Sequence, residues 1–156
     1  MTDFDPAQHR MVSEQRWFED FVLGERFVIP SRTQTSAVFA AFQTASGDTH
    51  PIHYDVEYCK ALGHPGPLAH GLQVLCFTAA GAGTFPHEIG DALLGMIEVR
   101  AKILKSAYPG DTLFPSLEIT GLKRQRTTGI VTMSALVTNQ RQDRILEGEH
   151  VYLLRL

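Results

Sequence analysis

The stretch S-G-D-T-H-P-I-H-Y-D, Ser46 to Asp55, holds two carboxylates and two imidazoles between positions 48 and 55: Asp48, His50, His53 and Asp55. Three chemistries are open to such a cluster. A polar surface turn is one, because Asp in Gly-Asp segments bonds its own backbone or caps a helix. A metal centre is the second, with imidazole and carboxylate ligands here and His64 and His70 close in sequence. The spacing H-x-x-H is not the helical i, i+4 spacing of H-E-x-x-H, and Pro51 breaks the helix that would align the two rings. No metal is therefore expected. The third is an acid/base centre. Asp48 and His53 are five apart with a Pro between, and a curled loop brings both to one water. One group then takes a proton while the other gives one. That is the chemistry of adding or removing water across a C=C bond, and the spacing leaves open which group is the base.

The flanking elements decide how exposed this loop is. Ser36 reads as the N-cap of a short helix, A-V-F-A-A-F-Q-T-A, that Ser46-Gly47-Asp48 ends. Pro51 forbids a helical continuation and pushes His50 extended. Asp55 reads as the N-cap of a second helix, V-E-Y-C-K-A-L, closed by Gly63. A loop between two apolar helices is partly buried, so its carboxylates and imidazoles need partners.

Upstream, residues 1 to about 20 read as a lead-in that Trp17, Phe18 and Phe21 pin to the body. Gly24 to Thr35 reads as a strand with an edge or bulge at Pro30. Downstream, H-P-G-P (64 to 67) is a rigid turn. The run from Leu68 to Gly83 is apolar all round, the mark of a helix buried on every side. From about residue 94 the period changes to two. Ile97, Val99, Ala101 and Ile103 face one way and Glu98, Arg100 and Lys102 the other, as in a half-buried strand. Turns at 109–111, 123–129 and 139–143 separate three further strands. The economical solution is α+β: a single hot-dog domain over residues 21–156, its antiparallel sheet wrapped around the helix at 68–83.

Bulk properties narrow the function classes. The chain has 156 residues, 44% of them hydrophobic and 20% charged, which supports one domain with its own core. A formal net charge of -3 argues against nucleic acid as a partner. The N-terminus lacks the apolar stretch of a secretory signal, and the longest apolar run, Leu72 to Ala82, is too short to span a membrane. Cys59 and Cys76 fit a reduced, cytoplasmic protein.

S-G-D-T-H-P-I-H-Y-D resembles the signature G-D-x-N-P-x-H-x-D of the MaoC-like, (R)-specific enoyl-CoA hydratase family. The lead-in F-A-A-F-Q-T-A-S, the helix Y-C-K-A-L-G, P-L-A-H-G-L and A-Y-P-G-D-T-L fit the same pattern, over roughly residues 20 to 155. The resemblance implies a hot-dog fold. It also implies hydration of trans-2-enoyl thioesters to (R)-3-hydroxyacyl thioesters, or the reverse dehydration, with an acyl-CoA as the small-molecule partner and no cofactor. It places the catalytic pair on Asp48 and His53, and the amide that receives the thioester oxygen at Gly71. Gly71 in the first turn of the helix suits that role, because free N–H groups point outward there and no side chain blocks a carbonyl.

His50 stands where the family usually has Asn, which fixes the loop through its amide; His is able to donate one such bond and adds a third titratable group. The family's helix Ser has only Thr78 and Ala79 near its place, and that role is not carried over. Candidate cations for the CoA phosphates are Arg100, Lys102 and Lys105, or Lys123, Arg124 and Arg126. A hot-dog acyl-CoA thioesterase is the first rival reading, disfavoured because Leu68 to Gly83 contains no Asp or Glu. A non-catalytic acyl-CoA-binding module is the second, disfavoured by the intact Asp48/His53 pair. An exposed sheet edge points to a homodimer or larger homo-oligomer.

Overall fold

The computed structural model describes residues 14–156, so the first part of the lead-in, residues 1–13, lies outside the described residues. The period-two segments form one antiparallel sheet. β1 (Arg26–Val28) and β2 (Arg32–Thr33) are short, and Pro30 falls in the break between them. β3 (Leu93–Ile103), β4 (Thr112–Arg124), β5 (Thr128–Asn139) and β6 (Arg144–Arg155) are long. The order is β1-β4-β5-β6-β3, with β2 also on β4. Inward positions alternate along β4 and β5. Leu117 pairs with Ala135 and Ile119 with Met133, and these four are buried together with Leu113, Val131 and Val137. Phe18 and Phe21 join this core, while Trp17 is exposed.

Among the described residues, four α-helices accompany the sheet: α1 (Ser36–Ser46), α2 (Val56–Ala61), α3 (Gly71–Cys76) and α4 (Phe85–Ile89). Val74 and Phe77, at α3 and its end, pack on Leu113, Val137 and Leu146. This is the predicted hot-dog arrangement, a single antiparallel sheet around a central helical segment.

Two details differ from the sequence expectation. The apolar run 68–83 is not one helix. α3 ends at Cys76, and a single 3-10 turn follows at Ala80–Ala82. Thr78 donates both its N–H and its hydroxyl to the Leu75 carbonyl, which ends the regular helical ladder there. Gly81, Gly83 and Pro86 then disfavour any restart before α4. Nor is the run buried on every side: Leu72 is 66% exposed.

The second difference is β3. Its predicted inner residues Ile97, Val99 and Ile103 are exposed, as are Leu94 and Met96. β3 pairs with β6 on one side only, and within one chain little covers its inner face. Register shifts at Leu93/Gly95 and Met96/Glu98 interrupt the alternation, which runs unbroken only from Glu98 to Ile103, and periodicity does not report what lies over either face.

Candidate active site

Local backbone chemistry builds the loop that carries the candidate residues. Thr35, not Ser36, caps α1: its hydroxyl accepts from Val38 N–H at 3.2 Å. The cap is one residue earlier because Thr35 has the extended backbone an N-cap requires and Ser36 is already helical. Gly47 closes α1 at φ 73, a left-handed conformation that glycine adopts without strain. Asp48 Oδ1 then accepts from His50 N–H at 3.3 Å. Pro51 starts a 3-10 turn, Pro51–His53, preceded by an extended His50. Asp55 caps α2 by accepting from Tyr58 N–H at 2.9 Å, the predicted capping role.

His50 also has a defined task. Its Nδ1 accepts from Ile52 N–H at 3.3 Å, so it fixes the loop as an acceptor rather than as the expected donor. Its ring meets Tyr58 edge-on with centroids 5.8 Å apart.

The loop delivers His53 and Asp48 to one point. His53 Nδ1 lies 2.8 Å from the Leu68 carbonyl. A carbonyl only accepts, so Nδ1 carries the hydrogen and Nε2 is the free nitrogen. That Nε2 is 3.8 Å from Asp48 Oδ2. The gap is too long for a direct hydrogen bond and leaves room for an oxygen that contacts both groups. His53 is nearly buried, with 14% of its side chain exposed against 51% for Asp48.

Gly71 is the first residue of α3, with His70 as N-cap. Asp48 and Gly71 line one cavity of about 550 Å3 with Phe42, Leu72, Leu75 and Ile103. His53 lines a second, of about 540 Å3, with Phe39, Tyr54, Val56, Pro67 and Tyr108. A larger concavity, about 910 Å3, lies elsewhere. Arg26, Glu118, Arg100 and Glu149 line it on the outer sheet face, and it holds neither dyad residue. Convergent acid/base chemistry, rather than size, marks the site. Because α3 has only six residues its dipole is small, and Gly71, at its start, has no side chain to fill this cavity.

The residues that sequence reasoning missed are His70, Gln73 and Gln34. His70 is buried, and its ring stacks on His53 with centroids 3.6 Å apart and planes 21° apart. His70 Nε2 is 3.1 Å from the Asp48 carbonyl oxygen, and Nδ1 is 3.3 Å from Gln73 Oε1. Gln73 reaches Gln34 at 2.9 Å. The available signal was a lone Gln inside the apolar run 68–83. Asp48, His53 and His70 bring candidate ligand atoms within 4.8 Å of one another. The nearly parallel stacked rings, however, run their in-plane lone pairs side by side instead of converging on one cation.

The candidate cations for the CoA phosphates lie on or just after β3 and around the turn between β4 and β5. Arg100 and Lys102 line the outer-face concavity, and Arg100 pairs with Glu98 and Glu149. Lys105 pairs with Asp143, and Arg124 with Glu19. No helix among the described residues is long and apolar enough to cross a membrane.

Sheet, loop and helix start together define a hot-dog protein in which Asp48 lies close to His53 and shares a cavity with Gly71. Residues 20–141 match the family described as the MaoC like domain, and the chain belongs to that family. It is 32% identical over 96 residues to a protein of Arabidopsis thaliana named enoyl-CoA hydratase 2, peroxisomal. That match takes in 62% of this chain and 30% of the relative, so the chain spans only part of that protein's length. Among solved structures it is similar to the monoamine oxidase regulatory protein from Archaeoglobus fulgius, with TM-score 0.81 and 27% identity over 94% of this chain and 98% of that one. It also resembles the (R)-hydratase from A. caviae involved in PHA biosynthesis, with TM-score 0.73 and 18% identity over 86% and 97%. At that identity the second likeness shows the fold alone.

Proposed function

We propose that this protein hydrates trans-2-enoyl-CoA thioesters to (R)-3-hydroxyacyl-CoA thioesters and catalyses the reverse dehydration. The observation that carries the reading is the orientation of the dyad. His53 is anchored through Nδ1–H, its Nε2 faces the Asp48 carboxylate across 3.8 Å, and Asp48 shares a cavity with Gly71.

The reaction follows from that arrangement. A water held between Asp48 and His53 attacks C3 of the enoyl thioester. One group of the pair takes the proton from the water as the C3–O bond forms, and the pair supplies the proton that C2 gains. Negative charge builds on the thioester oxygen during the attack, and the Gly71 N–H receives it. A donor of this kind is worth about 3–4 kcal/mol of barrier. The thioester itself activates the alkene, so the reading invokes no cofactor and no metal. The enoyl-CoA hydratase name of the Arabidopsis thaliana relative supports the substrate class; the (R) stereochemistry rests on the resemblance of the Ser46–Asp55 motif to the family signature. Two free thiols, Cys59 and Cys76, accord with a cytoplasmic setting.

The active unit in this reading is a homodimer. β3 is an edge strand whose exposed apolar residues lie next to the Asp48 cavity at Ile103, and pairing two such edges covers both.

Incubation with a panel of enoyl-CoAs, with chiral analysis of the product and a parallel assay for free CoA, tests the proposal. (R)-3-hydroxyacyl-CoA is the expected product. Release of CoA without hydroxyacyl product would make the protein a thioesterase, and binding without turnover would make it a carrier.

A further inference from the structure

We infer that His70 is the positioning residue of this site, held as the neutral Nε2–H tautomer by the buried amides of Gln73 and Gln34. One residue links all three parts of the proposed machinery. Its Nε2 is 3.1 Å from the Asp48 carbonyl. Its face backs His53 at 3.6 Å. Its backbone is the N-cap from which Gly71 starts α3. Phe42 lies against the same ring, with centroids 5.0 Å apart. At 2% exposure, His70 is tightly packed apart from the side that lines the Asp48 cavity, so it transmits position instead of adapting to it.

The proton assignment follows from the partners. The Asp48 carbonyl only accepts, so His70 Nε2 carries a hydrogen. Nδ1 is then either a second donor, on an imidazolium, or an acceptor, on a neutral ring. Gln73 and Gln34 decide between the two, because an amide presents N or O at nearly the same positions when it turns over. With Gln73 Oε1 toward His70, the ring must carry two protons, and Gln34 Nε2 is left buried without a hydrogen-bond partner among the described residues. Turning both amides reverses the chain. The Gln34 amide N–H donates to Gln73 Oε1, and the Gln73 amide N–H donates to His70 Nδ1. The orphaned donor gains an acceptor, and the unpaired group becomes a carbonyl oxygen, which is the commoner kind of buried unpaired group.

Gln34 is well placed for this role. Its N–H donates to the Asp111 carbonyl at 2.7 Å, and its carbonyl accepts from Gly110 N–H at 2.8 Å. The turn after β3 thus fixes the far end of the amide chain. A neutral His70 lets His53 alone carry positive charge when it takes up a proton; a charged His70 stacked on it would oppose that step.

The kinetic arm of the test rests on the hydratase reading, and the spectroscopic arm does not. Long-range 1H–15N NMR of labelled wild-type protein near neutral pH should show His70 protonated at Nε2 only and His53 at Nδ1. His70 protonated on both nitrogens, or at Nδ1 alone, would overturn the inference whatever the enzyme's activity. In kinetics, His70→Phe keeps the stacked ring and removes both hydrogen bonds. It should lower kcat by about 10²-fold with KM changed less than about threefold, since small misplacements of a reacting group cost that much. His70→Gln, whose amide N–H is able to reach the Asp48 carbonyl, should recover part of the loss. A folded His70→Phe protein with wild-type kcat would also overturn it. If that variant does not fold, Gln73→Leu replaces it, and an unchanged kcat and unchanged His70 and His53 ring signals there would refute the role of the amides.

Discussion

Gly71→Ala separates catalysis from stability. An added Cβ at Gly71 would stand 3.4 Å from Ile103 Cγ1 and 3.8 Å from Ile103 Cδ1. Those are ordinary van der Waals distances, so the fold accommodates the methyl group. Alanine in a helix is favoured over glycine by up to about 1 kcal/mol, less at a first-turn position. For a chain of this size that raises Tm by about 0–3 °C. The same methyl group, however, enters the cavity that Gly71 shares with Asp48 and narrows the approach of the thioester oxygen to the Gly71 N–H. Weakening that hydrogen bond should lower kcat by about 10- to 10³-fold, or about 1.4–4 kcal/mol of barrier. Calorimetry and enoyl-CoA hydration kinetics on one preparation read both effects. A variant at least as stable as wild type but much slower is the expected result. Wild-type kcat in the folded variant would refute the placement of the oxyanion at Gly71.

Other perturbations probe different parts of the chain. Gly129→Ala would put a Cβ within 2.0 Å of the Phe18 ring, so it should cost about 2–3 kcal/mol in urea denaturation; it should cost much less in a Phe18→Ala background, because the two changes act on one contact. Burial lowers the pKa of His150 below the usual histidine range. The unfolded chain therefore binds the extra proton first, so stability is full above about pH 6.5 and falls as pH drops below it. Urea midpoints between pH 7.5 and 5.5 should fall more steeply for wild type than for His150→Gln; equal slopes would contradict this. Val99→Lys on β3, exposed and opposite the buried His150 of β6, should leave the fold intact and convert a dimer to a monomer in sedimentation velocity. A dimer unaffected by that change would place the interface elsewhere.

Much of this fold is legible in residue types with local consequences. Gly47, Pro51 and Asp55 each impose a backbone state, and the loop between α1 and α2 follows from them. Four strands follow from the period-two alternation. The helix at 68–83 was overread because apolar composition reports a tendency to bury, not a length. What stops α3 is the Thr78 hydroxyl competing for the Leu75 carbonyl, together with the glycines beyond it. Asp48 and His53 were legible as a pair because the Pro between them limits the loop. The buried His70–Gln73–Gln34 chain was not, because its members are 39 positions apart at the extremes and meet only through tertiary packing. The same holds for Thr78, His150 and Tyr152. His150 lies 2.9 Å from the Thr78 hydroxyl and 3.1 Å from the Tyr152 hydroxyl, and no local pattern links Thr78 to β6.

The central claim is that Asp48 and His53 move protons on and off a water at an enoyl thioester. Its most direct measurement is single-turnover hydration of a short trans-2-enoyl-CoA by wild type, Asp48→Asn and His53→Gln, each verified as folded. Wild type should yield the (R)-3-hydroxyacyl product. Each variant should be slower by about 10²- to 10⁴-fold, the usual contribution of a positioned acid or base. Hydration by either folded variant within a fewfold of wild type would contradict the claim.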